Sequence, residues 1–436
     1  YNSLAHRTTW LRSDLYFTLG VIVVTLIVFA IDRWPAGLVA MVSAIILGVF
    51  GCVEIGDVYS GWASNLTLMI MGMMIVGNAL FKTGAVQLIG RAIMRAKFAH
   101  NERIVLAIIM LASGLLSAFL SNTAVVATFI PLLGAMVASS NGALKYKNLM
   151  MPMGLATAIG GAITLVGSTA QPMANQVLEQ YGLPTFGLFD FTPIVLPMLL
   201  ALIVYMVTIG YRLMDKCLDF EDNLPDVDIS SLETLKPTWR TWLSVGVLVF
   251  CVAGFMSGYS QTSIIALTGA AIVMVTGCVS FRDAAREAVD WNTIFVMAFA
   301  QTIAAAMNDS GAGQMIAEGV VAVMGNNLML QLAACVIVIA ILTNIMSNTA
   351  TAAMMTPIYI AISAQMGVEP YTFVMAVAVA ANLTAATPIG GTAVTMTLPA
   401  GYRFKDFLKI GTPINVVWVI LTIVLTPLVY PFVPVS

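Results

Sequence analysis

The stretch FLSNTAVVATFIPLL, starting at Phe119, has a counterpart in IMSNTATAAMMTPIY, starting at Ile345. Each sets Ser-Asn-Thr-Ala inside an apolar run and places a proline at the same distance beyond the Thr, Pro131 after Thr123 and Pro357 after Thr349. Three adjacent polar side chains facing lipid without partners cost on the order of several kcal/mol. A chain that accepts this twice, in matching places, must give both triplets polar surroundings.

Other anchors repeat in the same order. TGAVQLI at Thr83–Ile89 matches SGAGQMI at Ser310–Ile316, at almost the same offset as the two triplets, and Trp62 and Trp291 precede the two runs. Only 9% of the 436 residues are charged and 60% are hydrophobic, where a soluble domain carries roughly 25% charged residues. The chain therefore reads as an all-α polytopic membrane protein. Apolar runs near 15–31, 36–51, 64–81, 104–120, 123–139, 148–166 and 191–211 precede a single sizeable polar stretch. Beyond it, runs near 241–257, 262–279, 292–307, 328–346, 349–366, 371–386 and 411–432 follow in the same order. The sequence thus predicts a repeat over 1–214 with a hairpin at 104–139, a linker at 215–240, and a second repeat over 241–436 with a hairpin at 328–366.

Charge placement predicts the topology. If both hairpins are re-entrant and five other segments per repeat cross fully, every Lys and Arg except Arg7 and Arg12 falls on one face. The positive-inside rule makes that face cytoplasmic, with a linker on the same side, in a multi-pass protein of the cytoplasmic membrane. Five crossings per repeat is odd, so the halves run in opposite directions, the signature of a secondary transporter. The two Ser-Asn-Thr triplets then meet near the midplane as two walls of one site. The polar opening Tyr1–Asp14 shows no cleavable signal. The basic stretch Arg91–Arg103 reads as an interfacial arm bracing the scaffold, and Trp62 and Trp291 as interfacial anchors.

Ser, Asn and Thr are preferred N-cap residues, and a helix N-terminus attracts carboxylates. Two such ends facing one another suit a small molecule with an anion at each end. Ser121, Asn122, Thr123, Ser347, Asn348 and Thr349 are the expected substrate contacts. Two later stretches, GGAITLVGSTAQPM at Gly160–Met173 and AATPIGGTAV at Ala385–Val394, interrupt helices with Gly, Pro and hydroxyl residues. Backbone unwound at membrane depth must line a cavity or be buried, and its carbonyls suit Na+. The expected Na+ ligands are Ser121, Asn122 and Gly167 in one half, and Thr343, Ser347, Asn348 and Ala386 in the other. No ionisable residue falls in the segments placed at the midplane, which disfavours proton antiport.

Other classes find less support. No nucleophile–base spacing points to an enzyme, and a channel would need a continuous polar path. The five scattered cysteines and two histidines show no metal or disulfide pattern, and nothing points to nucleic acid. No cofactor is expected beyond Na+ as a coupling ion.

At these residues the chain resembles the divalent anion/sodium symporter family, within the ion transporter superfamily. Its Gly-Gly, then Thr-Leu-hydrophobic-Gly-Ser/Thr-Pro-Pro-Asn motif is similar to Gly160, Gly161, Thr164, Leu165, Val166, Gly167 and Ser168. Ala-Thr-Pro-Pro-Asn is similar to Ala386, Thr387 and Pro388. Thr169, Ala170 and Gln171 replace Pro-Pro-Asn in the first half, and Ile389 and Gly390 replace Pro-Asn in the second. The resemblance adds Ser168, Thr387 and Pro388 to the substrate contacts. It implies a homodimer in lipid, each subunit a scaffold with an elevator-type transport domain. The implied cargo is a C4 or C5 dicarboxylate such as succinate, malate, fumarate or 2-oxoglutarate, with citrate included. Family members couple to Na+ or exchange one dicarboxylate for another, and a related permease for another anion or metalloid is the alternative.

Overall fold

The computed structural model describes residues 2–31, 33–88, 101–140, 142–222, 224, 237–258, 260–388 and 390–435, with side chains in the first helix from Leu15 onward. Ile389, most of the basic stretch Arg91–Arg103 and half of the 215–240 linker lie outside the described residues. Among the described residues there is no strand, only an isolated bridge between Val368 and Pro434.

The first half builds α1 (Asn2–Ile31), α2 (Ala36–Val49), α3 (Asn65–Lys82), α4 (Glu102–Ser117), α5 (Asn122–Ser139), α6 (Tyr146–Gly161), α7 (Ala170–Gln180) and α8 (Thr192–Cys217). The second builds α9 (Trp239–Ser257), α10 (Thr262–Val275), α11 (Trp291–Asp309), α12 (Ala312–Met324), α13 (Leu328–Thr343), α14 (Asn348–Gln365), α15 (Tyr371–Ala380) and α16 (Phe404–Val429). Five described helices (α3, α5, α8, α9 and α16) are long and apolar enough to cross a membrane, and α12 and α13 meet at a 114° bend.

Why the order repeats is visible at the helix ends. Ser64 and Asp290 cap α3 and α11, Asn101 and Asn327 cap α4 and α13, and Ser121 and Ser347 cap α5 and α14. All three pairs share one sequence offset. A side-chain oxygen that accepts from the first turn fixes where a helix starts, so matched caps give matched helices. The turns match too: Gly51 and Gly277 adopt φ of 77° and 72°, and Gly84 and Gly311 adopt 78° and 74°. That region is open to glycine at little steric cost.

The halves interlock instead of standing side by side. α2 packs on α11 and α3 on α10, so each half supplies one helix to the other's pair. Small residues permit the close crossings. A Cβ on Gly61 would lie 2.0 Å from Ala298 O, and one on Gly72 would lie 2.7 Å from the Ala266 carbonyl carbon. Trp62 packs edge-on against Phe295 and Phe299, with ring centroids 5.1 and 5.8 Å away. It is therefore a contact between halves, whereas Trp291 is 44% exposed. A second group gathers α4–α8 with α13–α16: α4 packs on α6 and α13 on α15, and α8 packs on α16. The arm α12 leans on α14 and α11.

The two groups meet unequally. Among the described residues, α14 packs extensively on α11 while the matching α5 only grazes α3. Overpacking a dense helix crossing costs about 1–3 kcal/mol. Gly61→Val and Gly72→Val are therefore expected to lower the melting temperature in detergent by several degrees or to abolish monodisperse protein. Gly20→Ala, where a Cβ meets nothing within 4 Å, should melt as wild type; equal melting of all three would contradict the close crossings.

Candidate functional site

Both hairpins turn at their triplets. Ser121 Oγ accepts from Ala124 N at 3.4 Å, and Ser347 Oγ accepts from Ala350 N at 3.3 Å. The caps satisfy one donor each; other N–H groups of a first turn are left to a ligand or water. α6 then ends at Gly161 and α15 at Ala380, and the chain runs irregularly before helix resumes. It resumes as the eleven-residue α7 in the first half, but as a four-residue turn, Thr392–Thr395, in the second.

Glycine lets each break press against its hairpin. A Cβ on Gly167 would sit 2.2 Å from Ser117 O and 2.6 Å from Gly161 O; one on Gly390 would sit 2.2 Å from Thr343 O. Thr164 Oγ1 donates to Ala118 O, and Thr387 Oγ1 donates to Asn344 O at 2.6 Å. The hairpin partners Ala118 and Asn344 keep the offset of the caps, and Thr164 and Thr387 share their own slightly shorter offset with Gly167 and Gly390. One Thr-x-x-Gly arrangement is therefore built twice.

The result is a nest of oxygens in each half. In the first, Asn122 Oδ1 accepts from Ser117 Oγ at 2.5 Å. A Cβ on Gly161 would lie 2.3 Å from that Oδ1 and 2.9 Å from Gly167 O, so side-chain and carbonyl oxygens crowd one spot. In the second half, Thr343 Oγ1 donates to Ala381 O at 2.5 Å. The inward atom of the Asn348 amide lies 3.0 Å from Thr343 Oγ1, 2.8 Å from Gly390 O and 3.2 Å from Ala381 O. As nitrogen, the orientation that satisfies its neighbours, this atom donates to all three oxygens. Neutral oxygens at such spacing are the ligands a hard monovalent cation prefers.

The two halves touch across the site. Ser168 Oγ donates to Asn382 Oδ1 at 2.6 Å, a fully buried amide in the second break. Thr169 and Thr349 hydroxyls lie 2.5 Å apart, and Thr123 Oγ1 donates to Thr392 Oγ1 at 3.2 Å. Beside them a cavity of about 1120 Å³ runs to Phe81 and Gln87 at the end of α3 and to Glu287–Asp290 ahead of α11. Among the described residues, the charged ones lining it are Glu287 and Asp290. Glu287 pairs with Lys82 at 2.5 Å, and Asp290 caps α11. Each of these acids already has a positive partner or helix donors.

Of the residues expected to contact substrate or Na+, Ser121, Asn122, Thr123, Gly167, Ser168, Ser347, Asn348 and Thr349 line this cavity together. Thr343 lies behind the wall, fully buried, and reaches the nest through its hydroxyl. Ala386, Thr387 and Pro388 are not in the lining; the Thr387 proton is held by Asn344 O, and Pro388 O accepts from Thr395 Oγ1. Sequence reasoning misses Ser117, the repeat partner of Thr343, and Gly390, the repeat partner of Gly167. The shared Thr-x-x-Gly spacing is a signal that could find Gly390. Asn382, Thr169 and Thr392 are missed as well.

Interlocked helical halves, paired hairpins and broken helices around a cavity define a multi-pass membrane transporter. The chain belongs to the citrate transporter family: the family model described as CitMHS, citrate transporter, matches residues 26–262 and 260–435. It is a secondary transporter of the citrate/dicarboxylate type in the plasma membrane, and not an enzyme. Over 206 residues it is 32% identical to an uncharacterized transporter of Synechocystis, covering 47% of this chain and a third (33%) of that one. It is 22% identical to the uncharacterized transporter YfbS of Escherichia coli, covering 97% and 100% of the two chains. It is 23% identical to the sodium-dependent dicarboxylate transporter SdcS of Staphylococcus saprophyticus, covering 94% and 86%. The YdaH transporter of Alcanivorax borkumensis shares the fold at a TM-score of 0.62 and 14% identity, over 96% and 97% of the chains.

Gly167→Ala and Gly390→Ala each place a methyl against a carbonyl oxygen 2.2 Å away. Each should reduce transport at least tenfold, whereas Gly319→Ala, with nothing within 4 Å, should leave it unchanged. Full transport by both variants would separate the breaks from the site.

Proposed function

We propose that this protein carries C4 and C5 dicarboxylates, and citrate, together with Na+. Charge accounting supports the reading. A helix N-terminus contributes about half an elementary charge, so the ends of α5 and α14 together offer roughly +1. A dianion needs twice that, and among the described residues the charged ones lining the cavity are acidic. Co-bound Na+ would supply the remaining charge. The converging oxygens around Asn122 and Asn348 are where Na+ fits, one ion to each nest, with the carboxylates received by the hairpin ends between them. Asn122, Ser117 O, Gly161 O and Gly167 O would hold one ion; Asn348, Thr343 Oγ1, Ala381 O and Gly390 O would hold the other.

The Asn348 amide carries this reading. With Na+ bound its oxygen faces the nest; without Na+ the amide turns and its nitrogen donates to the same three oxygens. Na+ thus sets which face of Asn348 the substrate meets, and binding of the two becomes coupled. The transport group α4–α8 with α13–α16 is the part that moves against the α1–α3 and α9–α11 scaffold, and the working unit is a homodimer. With the positive face cytoplasmic, the cavity that reaches Phe81 and Glu287 opens inward.

Succinate binding to the purified protein, measured against Na+ concentration, tests this. Binding is expected only with Na+, with a Hill coefficient above one and approaching about two, the number of nests. Asn122→Ala and Asn348→Ala should abolish it while leaving the protein folded. Succinate or citrate binding that is equal in Na+ and in a Na+-free choline medium would overturn Na+ coupling; no binding of either in any medium would overturn the carboxylate reading.

A further inference from the structure

Beyond each break stands a threonine whose hydroxyl crosses to the other half. Thr169 occupies the N-cap position of α7, where a threonine ordinarily accepts from the first turn. Its side chain makes no capping bond and instead lies 2.5 Å from Thr349 Oγ1 of the opposite hairpin. Thr392, its repeat partner at the offset that separates Gly167 from Gly390, accepts from Thr123 Oγ1 at 3.2 Å, again across the halves. Both line the cavity. Gln171, by contrast, is fully buried with its amide donating to Ala162 O at 3.1 Å.

We propose that Thr169 and Thr392 are direct substrate contacts, each completing a two-hydroxyl pair that donates to one carboxylate of the bound dianion. The assignment rests on the dicarboxylate reading above. Proton counting gives its content. Two hydroxyls carry two protons, and the bond between them uses one, so each pair keeps one proton to donate. The repeat relates the two pairs, so the two spare donors serve the two ends of one ligand. In the family pattern that this chain resembles, a proline stands where Thr169 stands, and proline has no such donor. The hydroxyl at position 169 is thus a feature of this chain's own recognition chemistry. Each carboxylate would meet a hairpin N-terminus and one hydroxyl pair, with the pair's two members drawn from different halves. Recognition of both ends therefore requires both halves.

The test uses the full-length protein at saturating Na+, with succinate and its monoamide succinamate as the two ligands. Losing a hydrogen bond to a charged group weakens binding by roughly ten- to a hundredfold. Thr169→Val and Thr392→Val should each weaken succinate by about that factor, and Thr169→Ser and Thr392→Ser should restore it. Succinamate can place its amide at the damaged end, so its loss should be smaller and the succinate preference should fall. Thr169→Ala replaces the Val variant if the latter does not fold. Unchanged succinate affinity in the Thr169 and Thr392 variants overturns the assignment, as does equal loss for both ligands, the mark of a purely structural role. Wild-type protein that binds neither ligand overturns the dicarboxylate reading and this assignment with it.

Discussion

The contact on which the site depends is glycine against backbone. Gly167 presses on Ser117 O and Gly390 on Thr343 O, at distances no side chain would allow. Because the breaks come this close, the carbonyls freed where α6 and α15 stop are turned toward the hairpin tips. The tips in turn are fixed by Ser121 and Ser347, which start α5 and α14 at matched positions. Move either glycine outward and the oxygen nest, the orientation of the asparagine and the crossing hydroxyl pairs all lose their geometry together.

A site built this way handles charge with no basic side chain among the described residues that line it. A lysine or arginine at membrane depth costs on the order of 3 kcal/mol or more to place, and it would stay behind when the cargo leaves. Helix ends and carbonyls carry only partial charges, so the empty site is close to neutral. In the proposed cycle full charge arrives only with cargo, and cation and anion reduce each other's desolvation. The same economy explains why the lining acids are already engaged: Glu287 is held by Lys82 and Asp290 by the first turn of α11. Among the described residues, α14 packs on α11 and α12 while α5 makes little contact with α3. The two halves are equivalent in sequence order and unequal in this packing.

Much of this is legible in the sequence, for a physical reason. Polar triplets and helix breaks in an apolar chain are costly, so they stand out, and the doubled Ser-Asn-Thr and the two Gly/Pro-rich breaks lead straight to the residues that line the cavity. What stays hidden is what costs nothing to write. Gly390 looks like any loop glycine until it is seen that Thr387-x-x-Gly390 repeats Thr164-x-x-Gly167, because the repeat offset shortens between hairpin and break. The sequence alone points to Ala386 as a ligand and Thr387 as a substrate contact; in the structure the Thr387 hydroxyl donates to the hairpin at Asn344 O. Ser117 escapes notice because a small hydroxyl in a helix usually bonds its own backbone. The interlock of α2 with α11 and α3 with α10 rests on Gly61, Gly72, Ala266 and Ala298, residues that any tight membrane helix contains.

The central claim is that substrate charge is met by co-bound Na+ in the two oxygen nests. The most direct measurement is labelled succinate uptake into proteoliposomes under two regimes. One has an inward Na+ gradient and an empty lumen; the other has no Na+ and a lumen preloaded with unlabelled dicarboxylate. The account predicts accumulation in the first and none in the second. Uptake in the second regime alone would contradict it, because one dianion would then be crossing in exchange for another with no cation in either nest.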